Sequence, residues 1–138
     1  HSAHWSGDYE FEVHRNESLR AMLEHAEKMA DAFSGMVWRV FHAPERASFI
    51  TSDNPFFIMP TRPVDPRWPG IGILTAGAVN VFPLSQSTCL TMTGSGNGLT
   101  HIRMPAADVR RLNMRTALYC DRYLFAWDVS ICLGRRLD

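Results

Sequence analysis

Apolar and polar residues alternate in short runs along most of this chain, broken by two stretches of helical spacing. Residues 8–13 (Asp8-Tyr9-Glu10-Phe11-Glu12-Val13) pair each acid with an apolar neighbour, which predicts a strand with one wet face. Behind it, Leu19, Met22, Leu23, Ala26, Met29, Ala30 and Phe33 recur at helical spacing and make one apolar stripe. Asn16 is the expected N-cap, Glu24 and Lys28 the expected (i, i+4) pair, and Gly35 the expected left-handed stop.

Val37–His42 reads as a strand, Ala43-Pro44-Glu45-Arg46 as a turn, and Ser48–Thr51 as the strand returning beside it. The segment from Met59 to Gly72 carries Pro60, Pro63, Pro66, Pro69, Gly70 and Gly72. No helix or central strand survives that density, so a long loop is predicted. Residues 78–82 and 88–93 are two further strands joined through Pro83-Leu84-Ser85-Gln86-Ser87. The glycine-rich Gly94-Ser95-Gly96-Asn97-Gly98 reads as a hairpin connection.

A second helix is expected to start at Pro105, with Val109, Leu112 and Thr116 inward and Arg110, Arg111 and Arg115 outward. Tyr123–Trp127 is a strand, and Val129–Leu133 continues or pairs with it. The pattern specifies an α+β fold, with a mostly antiparallel sheet of five or six strands and two packed helices. Residues 1–138 are expected to form a single domain, the C-terminal part of a larger protein, with 1–15 a frayed or non-native end.

Composition narrows the function classes little. Apolar residues at 46% and charged residues at 20% are ordinary for a globular chain. Fourteen basic and fourteen acidic residues cancel, so net charge gives no support to a nucleic-acid partner. The odd count of three cysteines (Cys89, Cys120, Cys132), with no close pair, fits a reducing, cytoplasmic compartment. No apolar run is long enough to cross a membrane.

The candidate chemistry centres on Thr51-Ser52-Asp53-Asn54-Pro55, a polar cluster that ends an apolar strand. Asp53 can act as a general base or hold a divalent metal, with Asn54 and Asn113 orienting it and Ser52, Arg111 and Arg115 binding. The same residue types before a proline also make side-chain-to-backbone turns. Asn113 falls on the inner face of the second helix, where it can clamp backbone or orient Asp53. Trp68, in the proline-rich loop, is the candidate anchor of a contact surface. The six histidines show no close-spaced metal pair, and the cysteines read as buried thiols.

Three segments in order, Phe49-Ile50-Thr51-Ser52-Asp53-Asn54-Pro55, Val81-Phe82-Pro83-Leu84-Ser85, and Leu112-Asn113 followed by the strand from Tyr123, resemble a known family. They look like the C-terminal half of the bacterial domain-of-unknown-function family 4238, over roughly residues 36–127. The resemblance implies an upstream segment with a histidine, tyrosine and proline motif leading into a helix. It implies no activity. Two functional expectations stand side by side: a phosphodiester-type hydrolase using Asp53, or a non-catalytic protein- or ligand-interaction domain with the 59–72 loop as its contact surface.

Overall fold

The computed structural model describes residues 15–63, 67 and 70–127. The expected strands at 8–13 and 129–133 lie outside the described residues. By its internal contacts the chain divides into two compact units, His1–Ala32 and Phe33–Asp138.

Helix α1 (Arg15–Ser34) supplies most of what is described in the first unit. Asn16, the expected N-cap, lies within this helix. Leu19, Met22 and Leu23 of its apolar stripe are exposed. Glu24 pairs back to Arg20 at 3.4 Å. The helix ends at Ser34, immediately before Gly35. At its end the Met36 N–H donates to the Phe33 carbonyl at 3.1 Å. The Trp38 indole donates to the same carbonyl at 2.7 Å.

The second unit is built on β1 (Val37–His42), β2 (Thr51–Ser52), β3 (Phe57–Pro60), β4 (Ala78–Pro83), β5 (Thr88–Thr93), β6 (Leu99–Arg103), α2 (Ala106–Tyr119) and β7 (Leu124–Phe125). Five strands form one sheet in the order β3-β4-β5-β1-β6, and β2 pairs with β7. Every pairing in the large sheet is antiparallel except β1 with β6. The fold is α+β, as the sequence pattern specified.

Two expectations about pairing fail for one reason. The turn after β1 forms, with the Ala47 N–H donating to the Pro44 carbonyl at 3.1 Å. The chain that leaves it does not return beside β1, because both edges of β1 are taken, by β5 and by β6. Segment 48–50 runs instead toward α2. For the same reason Gly94–Gly98 is no hairpin connection: it carries the chain across the start of β1, from β5 on one side to β6 on the other. The crossing is close. Gly96 N–H donates to the Gly35 carbonyl at 3.0 Å, and a Cβ on Gly96 would meet Val37 Cγ2 at 3.0 Å. Its φ of +152° also excludes ordinary side chains.

Strand alternation decides the core. Phe57, Val81 and Cys89 point to one face, where Phe49 and α2's Val109 and Leu112 close over them, with Phe41 and Met59 at the margin. Helix α2 follows Pro105, which serves as N-cap in an extended conformation with no side-chain cap. Val109, Leu112 and Thr116 are buried, as the helical spacing predicted.

Candidate functional site

The predicted cluster at the end of β2 is a tie between two parts of the chain. Ser52 and Thr51 pair with Leu124 and Phe125, and the Asp53 N–H extends this ladder to the Tyr123 carbonyl at 3.1 Å. The Asp53 carboxylate then accepts two backbone N–H groups, from Asp121 at 3.0 Å and from Arg122 at 2.8 Å. Ser52 Oγ accepts the Asn54 N–H at 3.1 Å, and the Asn54 amide donates to the Tyr119 carbonyl at 3.0 Å. Each polar side chain from Ser52 to Asn54 therefore meets backbone, as local side-chain turns do. Desolvation pushes the Asp53 carboxyl up, but the Arg122 and Asp121 N–H groups outweigh it and hold its pKa below the ordinary carboxylate value.

The Asn113 amide is engaged by segment 48–50. The residue is 2% exposed. Its Oδ1 accepts the Ile50 N–H at 3.1 Å, and its Nδ2 donates to the Ser48 carbonyl at 2.8 Å. The amide thus stands in for a strand neighbour along segment 48–50. Ser85, in the second motif, is likewise a turn former: its Oγ accepts the Ser87 and Thr88 N–H groups at 3.2 and 3.1 Å.

Arg111 pairs with Asp108 at 3.1 Å on the exposed side of α2, and Arg115 is exposed. Trp68 lies outside the described residues, as do 64–66 and 69 of the loop that carries it. Burial pushes the Cys89 thiol up to about 12, so it carries no thiolate near neutral pH.

A second place gathers polar chemistry that the sequence did not flag. The parallel register sets Val40 opposite His101 and His42 opposite Arg103. Residues two apart share a strand face, so His42, His101 and Arg103 project together. His42 Nε2 and His101 Nδ1 lie 2.8 Å apart, with ring centroids at 5.1 Å. Met104 N–H donates to the His42 carbonyl at 2.9 Å, which brings the first turn of α2 to the ends of both strands. The result is an open cleft of about 890 Å³, lined by His42, Glu45, Arg46, His101, Arg103 and the residues entering α2. Among the described residues no three metal-binding side chains converge.

A family model described as "Protein of unknown function (DUF4238)" matches residues 2–129. The chain belongs to this family. The match is wider than the 36–127 suggested by motif order, since it also takes in α1. No curated protein and no solved structure matches the chain. In this member of the DUF4238 family, the polar residues of the motifs, Ser52, Asp53, Asn54, Ser85 and Asn113, hold turns and loops in place, and Phe49, Val81 and Leu112 belong to the core. The histidine cleft is formed by residues outside those motifs.

Proposed function

We propose that this domain is a ligand-interaction domain whose binding site is the cleft between the ends of β1 and β6 and the start of α2. The observation that carries this reading is the contact of His42 with His101 inside a cleft that Arg46 and Arg103 also line. Convergent polar groups in a concave site are the usual mark of ligand recognition. A phosphodiester hydrolase centred on Asp53, with Asn54 and Asn113 orienting it, has no comparable support. The Asp53 carboxylate already holds two backbone N–H groups, and Asn113 is engaged with segment 48–50.

The test is two-dimensional NMR of the chain, titrated in turn with a nucleotide, a sugar phosphate, a dicarboxylate and a neutral sugar. At least one of these shifts the His42, His101 and Arg103 signals together, and His101→Thr removes the response. Threonine suits an exposed edge strand, so the variant keeps the fold. If none of the panel moves the cleft signals, the reading is wrong. Cleavage of labelled nucleic acid that needs a divalent metal and disappears in Asp53→Ala would replace it with the hydrolase.

A further inference from the structure

We infer that the outer edge of β6 takes up an extended peptide as a further strand of the sheet, one in which acids alternate with apolar residues. β6 ends the strand order, with β1 as its neighbour on the inner side. Along a strand, one residue turns its N–H and C=O to one edge and the next turns them to the other. Two bonds fix which residues of β6 face β1. Trp38 N–H donates to the Gly98 carbonyl at 3.0 Å, and Met104 N–H to the His42 carbonyl at 2.9 Å. Thr100 and Ile102 therefore turn their backbone groups inward with Gly98 and Met104, and Leu99, His101 and Arg103 turn theirs outward. Among the described residues no strand pairs with that outer edge. Every residue of β6 is exposed, and its register against β1 runs without a bulge. The strand holds neither proline nor lysine, the usual guards of an edge. An edge of this kind is a template for a partner strand.

The side chains say which peptide fits. β1, β5 and β6 carry Arg39, Arg103, His42 and His101 and no aspartate or glutamate. Arg39 donates to Thr93 Oγ1 at 2.9 Å, a neutral partner that leaves its charge in place. A second copy would bring the same positive strands to this edge, whereas an acidic strand is drawn to it. Alternation sets the pattern of the partner. Leu99, His101 and Arg103 share one face of β6, and Thr100 and Ile102 share the other. Side chains on a common face of paired strands meet directly. Acids of the peptide therefore lie beside His101 and Arg103, where an imidazole N–H and a guanidinium donate to them. Its apolar residues cover Ile102, which is exposed. This surface flanks the sheet, and only His101 and Arg103 border the cleft as well. Peptide docking on it does not require a ligand in the cleft.

The probe is a blocked octapeptide alternating glutamate with valine, with its lysine–valine counterpart as control, each titrated into the chain and followed by two-dimensional NMR. The glutamate peptide is expected to shift the amides of Leu99, His101 and Arg103 and to slow their hydrogen exchange. The lysine peptide is expected to leave them unmoved. His101→Pro removes an outward N–H that β1 does not use, so the sheet keeps its ladder while the glutamate peptide binds roughly tenfold more weakly. Arg103→Glu weakens the glutamate peptide and strengthens the lysine one. Amides that stay unmoved with the glutamate peptide, or full affinity in His101→Pro, overturn the docking. Equal binding of the two peptides overturns the acidic partner. A mass that doubles with concentration while the same amides shift, with no peptide present, gives the edge to a second copy instead.

Discussion

Asn113 on α2 accepts the backbone N–H of Ile50 at 3.1 Å, a side chain completing the hydrogen bonding of a segment that, among the described residues, no strand accompanies. The bond is buried, and a second one from the same amide reaches the Ser48 carbonyl at 2.8 Å. Removing it leaves two backbone groups without their partner. Asn113→Ala is expected to cost about 2–4 kcal/mol. Urea denaturation should show the midpoint fall with its slope unchanged.

Asp53 makes stability depend on acid. Its folded pKa lies below the ordinary value of 3.8, so its contribution is fully present above that value. It drains away as pH falls further, through the lower folded pKa. Asp53→Asn should therefore be less stable than the parent at neutral pH. The gap between them should narrow in urea titrations as pH falls below 3.8 and close once the folded-state carboxyl is protonated.

Gly96 and Gly94 should respond differently to alanine. Gly96 has φ +152° and only 3.0 Å between an added Cβ and Val37 Cγ2, whereas Gly94 has φ +61° and open space. Gly94→Ala is expected to cost about 1 kcal/mol from the left-handed backbone alone. Gly96→Ala should cost about 1–3 kcal/mol, and more than its neighbour, because strain and contact add. Thermal unfolding of the two variants side by side orders them.

The cysteines should label in sequence. Cys89 is fully buried with its thiol pushed up to about 12, while Cys120 is half-buried at the end of α2. Treatment with iodoacetamide at about pH 8 should modify the Cys120 peptide in the native chain. The Cys89 peptide should react only in denaturant, as peptide mass mapping would show.

What could be read from sequence follows the range of the interactions involved. The β4–β5 hairpin and α2 were legible because each is announced within a few residues, by the Ser85 turn and by Pro105 with Val109, Leu112 and Thr116. The partners of β1 were not, since Val37 pairs with Thr93 and Trp38 with Leu99. Alternation reveals a strand's faces and says nothing of its neighbours. The 43–46 turn was recognised, yet a turn in the right place does not require the strands around it to pair. The same blindness hid the cleft: His42 and His101 are 59 residues apart, and only the parallel register brings them together. The polar run at 51–55 was visible, and its ambiguity was inherent, because residues that make side-chain turns are also those that perform chemistry.

The loop that crosses the start of β1 has a consequence for the order of assembly. β1 is made before either of its neighbours, which arrive with residues 88–93 and 99–103. At a synthesis rate of roughly 5–20 residues per second, the strand waits several seconds on the ribosome with both edges open. Its two partners then close on it from opposite sides, so the middle of the sheet is a seat filled late by contacts of long sequence separation. Folding should accordingly be slow for a chain of this size, and Val37, Trp38, Val40 and Phe41 are the apolar residues left bare during the wait.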